Sequence, residues 1–209
     1  MNTYKKIFLP CLLLPLLTFS GCFDGTDTND TETQEVKDTK NYSISIPNTW
    51  EIFPKNEFEK NMIFAARQGE YSSNVPITIT ISQTQSLPES LEILIKKNYE
   101  IVRRESQDFK IISETDFTTK EVRKEQTDEN KTEQKKYINP EETREPASKL
   151  VIYTEKYTSN NSFAQIYSLN VLSYKEKKTY VINILCDMNA SEKEKELIMD
   201  ILTSFTIIL

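Results

Sequence analysis

Histidine is absent from all 209 residues of this chain. Without an imidazole, Ser-His-Asp and Cys-His nucleophile systems, the HExxH zinc helix and carboxylate-histidine iron sites cannot be assembled. Glycine is nearly absent too, with only Gly21, Gly25 and Gly69. With no glycine beyond residue 69, neither a P-loop nor a GxGxxG dinucleotide turn can be written in the rest of the chain. A basic surplus is also lacking. The formal charge is -6, and loss of a leader carrying Lys5 and Lys6 takes it to -8. Such a chain repels phosphate backbones, so nucleic acid is not expected as a partner. The densest basic stretch, KKNYEIVRR, interleaves Lys96, Lys97, Arg103 and Arg104 with Glu92, Glu100 and Glu105, which describes a solvated helix face.

Long apolar runs are equally scarce, and the longest one is informative. MNTYKKIFLPCLLLPLLTFSGC opens with two lysines and continues through Ile7 to Leu17, too short for a bilayer span of ~20 apolar residues and suited to a secretory signal. Small Ser20 and Gly21 precede Cys22. This resembles the bacterial lipobox, with Phe19 where leucine is usual, and implies that the Cys22 thiol takes a diacylglycerol and becomes the first mature residue. Two acyl chains make anchoring stable where one is marginal. Membrane lipid is then a partner through acylated Cys22. The protein would sit on the cell membrane or outer membrane, facing periplasm or exterior; Phe23, in place of an aspartate, favours the outer membrane in a two-membrane envelope. Cys11 leaves with the leader. Cys186 then has no disulfide mate, and its place in TYVINILC marks it as a structural thiol.

Residues 22–41 follow as lipidated cysteine plus an acidic, threonine-rich tether that buries almost nothing and is expected to be disordered, with a reach of ~25 Å. Its DGTDTNDTE run lacks the glycine and glutamate positions of a calcium loop, so no metal is expected. From 42 to 209 the pattern becomes that of a folded domain. NYSISIP, NMIFAARQ and PITITISQ alternate as strands. Ser86, Pro88 and Glu89 then predict the start of a helix over roughly 88–105 with a Leu91, Leu94, Ile95, Ile101, Val102 stripe. DFKIISETDFT reads as a further strand. A charged stretch at about 119–145 reads as an exposed insertion, either disordered or used for contact. SKLVIYTEKY, SFAQIYSLNVLSY and KTYVINILC are strands again, the last two a hairpin across KEKK. Ser191 with Glu194 caps a second helix. The expected fold is α+β: a single antiparallel sheet of about six to seven strands with two helices packed on it.

In this order of elements the chain resembles the PsbP and DcrB-like family. The likeness rests on YSISIPNTW, on SLPESLEILIKKNYE before DFKIISETDFT, and on YVINILCDMNASEKEKELIMDILTSFTI. The resemblance implies a non-enzymatic domain and supplies neither catalytic residues nor a cofactor. The chain accordingly reads as an envelope lipoprotein acting as an accessory module, with an envelope protein or complex as partner. A carrier or sensor of a small apolar ligand is the alternative, suggested by apolar stripes on both helices. An enzyme would need an unrecognised carboxylate, lysine or tyrosine site. Candidate interaction residues are Trp50, which either anchors a partner or plugs the sandwich, and Tyr71, Tyr137 and Tyr174 in polar segments.

Overall fold

Alternating apolar side chains demand a partner for each strand, and the chain satisfies that demand in two sheets. The computed structural model describes residues 32–38, 41–55, 58, 60–69, 75–106, 108–122, 144–156 and 163–209. Strands β1 (Thr33–Asp38), β2 (Tyr42–Pro47), β3 (Glu51–Ile52), β4 (Met62–Arg67) and β5 (Thr78–Thr84) precede helix α1 (Leu91–Glu105). Strands β6 (Lys110–Phe117), β7 (Lys120–Val122), β8 (Ala147–Lys156), β9 (Phe163–Ser173) and β10 (Lys178–Asp187) lead to helix α2 (Glu192–Ser204) and a last strand, β11 (Thr206–Ile208). The larger sheet has seven strands in the order β3-β4-β5-β10-β9-β8-β6, all antiparallel. The smaller has four, β1-β2-β11-β7, in which only β11 and β7 run parallel.

The large sheet is covered on both sides. Tyr167, Leu169 and Val171 of β9 join Tyr180, Ile182, Ile184 and Cys186 of β10 in one core with β2, α2 and β11. The alternate β9 residues Ala164, Ile166 and Leu172 pack instead with Leu91 and Ile95 of α1. The two helices therefore lie on opposite faces. Asn98 of α1 donates to Asn170 of β9 at 2.8 Å, and Asn170 donates in turn to the Ser168 carbonyl at 3.1 Å, so the polar positions beneath α1 are paired. On the other side Ser204, at the end of α2, accepts from the Ser45 backbone N–H at 2.9 Å and ties the helix to β2.

The expected α+β fold with its seven-stranded antiparallel sheet and two helices is what forms, with four differences. First, the sheet is not single: β2 pairs with β1 and β11 in the second layer, because an alternating pattern reveals that a face is dry but not which sheet dries it. Second, Thr33–Asp38, within the expected disordered tether, is a strand. Its pairing with β2 over six residues is carried by main-chain hydrogen bonds, which composition does not report. Third, residues 119–122 belong to the fold rather than to the exposed insertion: Thr119 is buried and Lys120–Val122 is β7. Fourth, α1 begins at Leu91 with Ser90 as its cap, accepting from Ile93 N–H at 3.3 Å, so Ser86 and Glu89 lie outside the helix. The Ser191–Glu194 capping box of α2 and the β9–β10 hairpin form as expected.

Gly69 shows why one glycine beyond the leader region is retained. A methyl group on its α-carbon would stand 2.8 Å from the carbonyl oxygen of Thr49, closer than a side chain can approach backbone. Gly69→Ala should therefore lower stability by about 1–3 kcal/mol, read as a reduced urea midpoint at unchanged m.

Cys186 is fully buried, and desolvation, reinforced by Glu194 and Asp187, pushes its thiol up to about 12. Between the ordinary value of 9.0 and that of the fold, the unfolded thiol has lost its proton and the native one has not. The unfolded state then binds fewer protons, so this group erodes stability as pH rises through the window. In a chain with Cys11→Ala and Cys22→Ala, aromatic-disulfide labelling of Cys186 at pH 8 should be slow in the native state and complete in denaturant. The urea midpoint should fall from pH 8.5 to 10.5, and equal labelling rates in both states would contradict the burial argument.

Candidate functional site

Two places on the fold gather side chains beyond what packing requires: a charged corner and an apolar cleft. Of the residues singled out by sequence, Cys22, Tyr71 and Tyr137 lie outside the described residues. Trp50 is 5 % exposed and belongs to the main core, its backbone N–H donating to the Pro47 carbonyl at 3.1 Å. Of its two readings, partner anchor or plug of the sandwich after the Pro47 turn, this burial agrees with the plug. Tyr174 sits in the β9–β10 turn, half-buried, with the guanidinium carbon of Arg144 3.6 Å from its ring centroid.

The charged corner is built around that turn. Ser173 donates to Glu121 Oε1 at 2.9 Å, and Lys175 Nζ lies 2.7 Å from Glu121 Oε2 in an ion pair whose angle is poor for a hydrogen bond. The Glu121 side chain is 2 % exposed and that of Lys175 17 %, so the pair is nearly dry. Lys178 donates to both Asn41 Oδ1 and Glu176 Oε2 at 2.7 Å. Around them Ile208 N–H donates to the Asn41 carbonyl and Leu209 N–H to the Val122 carbonyl, each at 2.9 Å. Three consecutive residues, the last of β9 and the first two of the turn, thus hold both ends of the charged stretch: Ser173 and Lys175 grip Glu121, where the chain leaves, and Tyr174 stacks on Arg144, where it returns. Breaking a dry ion pair by removing one partner costs about 3–5 kcal/mol, so this corner fixes its geometry firmly.

The β1–β2 pair relates the corner to the chain's amino-terminal side. Asp38 opposes Tyr42 next to Asn41 and the corner, whereas Thr33 opposes Pro47 at the other end. There Glu32 accepts from Asn48, through its carbonyl from the backbone N–H and through Oε2 from Nδ2, both at 3.0 Å. At ~3.3 Å per residue the two ends are about 17 Å apart. The chain therefore enters the fold at one end of β1 and presents the charged stretch from the other.

The cleft opens between the layers and has a volume of about 150 Å³. Val36 and Tyr42 of the smaller sheet form one wall, and Ile63 and Phe64 of β4 another. Neighbouring strand residues ordinarily point to opposite faces; an irregularity between Met62 and Phe64 breaks the register with β5 and lets Ile63 and Phe64 both face the main core side. Ile52, Phe53 and Phe58 add to the apolar lining, and Lys55 contributes the one charge among the described lining residues.

The titratable side chains that the fold perturbs are pushed away from neutrality: Tyr99 upward by burial and then by its 2.6 Å hydrogen bond to Glu114, Tyr153 and Tyr167 upward chiefly by burial. Glu92 moves downward through hydrogen bonds from its backbone N–H and Ser90. A general acid or base needs a pKa drawn toward the working pH. Among the described residues no group of three metal-ligating side chains gathers, and no helix is long and apolar enough to cross a membrane.

No protein-family model and no curated protein matches the sequence. Solved structures do match by shape. The solution structure of cyanobacterial PsbP (CyanoP) from Synechocystis sp. PCC 6803 superposes with a TM-score of 0.53 at 10% identity, over 88% of this chain and 98% of that one. The Ran-binding protein Mog1p of Saccharomyces cerevisiae gives 0.49 at 8% identity, over 84% and 95%. LpqN, involved in cell envelope biogenesis of Mycobacterium tuberculosis, gives 0.46 at 11% identity, over 84% and 90%. At such identities the likeness concerns architecture, and the first of them establishes it: the chain has a PsbP-like α+β fold.

Proposed function

We propose that the chain is a lipid-anchored, non-catalytic accessory module of the cell envelope, which holds its charged stretch toward a partner protein. The observation that carries this reading is the placement of the two chain ends on β1–β2. The polypeptide arriving from Cys22 enters at Thr33, and residues 123–143 leave and return at the corner about 17 Å away. Attachment and presentation thus fall at opposite ends of one rigid pair of strands. Since the fold begins at β1, the tether proper is the ten residues between Cys22 and Thr33. At full extension these reach roughly 35 Å, which keeps the domain close to the lipid surface. The stretch itself is rich in Lys and Glu and carries Tyr137 and Ile138 as its apolar residues near one another. Such a segment suits a partner with charges of both signs around a small apolar contact.

Cys22→Ala should move the protein from the membrane fraction to the soluble one while its melting temperature stays unchanged; a variant that remains membrane-bound contradicts the anchor. Replacing 123–143 by a short Gly-Ser linker should leave stability within about 1 kcal/mol, because both roots of the stretch are outside the replaced segment. Affinity capture from detergent-solubilised membranes should return a stoichiometric protein with the intact chain and lose it with the linker variant. If the intact chain captures no stoichiometric protein, the accessory-module reading fails.

A further inference from the structure

Apart from the exposed Ile101, the apolar stripes of α1 and α2 are committed to the two cores, so a ligand site has to be sought elsewhere, and among the described residues the packing is incomplete at the cleft between β1–β2 and β3–β4. It is a half-open cleft whose volume of about 150 Å³ is large enough for a body the size of a benzene ring. The lining suits an apolar occupant, with Phe53, Phe58 and Phe64 able to meet a flat or aliphatic body edge-on or face-on. Charge narrows the class further. Among the described residues of the lining Lys55 is the only charged one and is itself exposed, on a chain whose formal charge is -6. Among the described residues it forms no ion pair. The Arg67 guanidinium that lies over the Phe53 ring is already paired with Glu51, which leaves Lys55 as the cation able to meet a ligand carrying one negative charge next to an apolar body.

We propose that this cleft binds a small apolar monocarboxylate, with a body of about six to eight non-hydrogen atoms against Ile63 and Phe64 and its carboxylate at the Lys55 ammonium. The cleft is built for it: the β4 register break brings Ile63 and Phe64 to the same side, and Val36 of β1 closes the recess from the opposite sheet. The inference stands apart from the anchoring and partner reading, since neither Cys22 nor the charged stretch contributes to the cleft.

Phenylacetate is a suitable probe, with 2-phenylethanol as its neutral counterpart. Titrated into the purified full chain, phenylacetate should saturate with a Kd of about 0.1–1 mM, as a ligand of ~10 non-hydrogen atoms allows. Methyl resonances of Ile52 and Ile63 should shift as it binds. Lys55→Gln, at an exposed position that does not threaten the fold, should weaken phenylacetate about five- to tenfold and leave 2-phenylethanol within twofold. Absence of saturable binding up to 10-fold above that range, or shifts confined to residues away from the cleft, overturns the site. Equal binding of the two probes with no effect of Lys55→Gln overturns the carboxylate class.

Discussion

From Ile166 to Ser173 every residue of β9 is buried, and adjacent residues point into different surroundings. A strand in that position cannot belong to a sheet with one solvated face, so the molecule needs a cover on each side of it. Helix α1 supplies one cover, held in register by the Asn98–Asn170 hydrogen bond as well as by its leucine and isoleucine stripe. The other side is broader than one helix and takes α2 together with β2 and β11. The second sheet follows from that demand. It provides Tyr42, Ile44, Ile46 and Ile207 to the main core, and Tyr42 stacks on Phe205 with ring centroids 5.9 Å apart.

Because the second sheet serves as a cover, its outer strands are short or polar, and this decides what could be read from sequence. The strands of the large sheet other than the two-residue β3, the hairpin across Tyr174–Lys177, the α2 capping box and the burial of Cys186 are legible because their signals are local: alternation, a turn, a cap, a face shared at every second residue. Strands β1, β7 and β11 have no such signal. TQEVKD offers one aliphatic side chain, Val36, and β7 and β11 are three residues each, so each exists only through a partner far along the chain. The opposite placement of the two helices was hidden for a related reason: an apolar stripe shows that a helix packs, not on which side of a sheet.

The cleft was hidden more deeply still. Val36, Tyr42, Phe53 and Ile63 become neighbours only after two sheets have formed, and the register break at Ile63 overrides the alternation that would send it away from Phe64. Trp50 left two readings open, partner anchor or plug, because a lone tryptophan after a proline turn suits either, and the Pro47 turn folds it inward as a plug. Tyr174 was singled out for lying in a polar turn, and its use is local: the flat ring receives Arg144 and marks where the charged stretch rejoins the fold.

The corner that holds that stretch uses charge where hydrocarbon would have served stability as well. Replacing a dry ion pair by well-packed apolar residues is often neutral or favourable, so Glu121 and Lys175 are not explained by the strength of the fold. What the pair adds is definition. β7 joins β11 through only three residue pairs, in parallel, a pairing too short to resist slipping by itself. A slip by one residue would turn Glu121 outward and Lys120 and Val122 inward, stranding Lys175 in a nearly dry site and breaking the Ser173 hydrogen bond. The ion pair therefore penalises every register but one. It fixes where residue 122 ends and, with Arg144 held over the adjacent Tyr174, the ground from which the intervening residues rise.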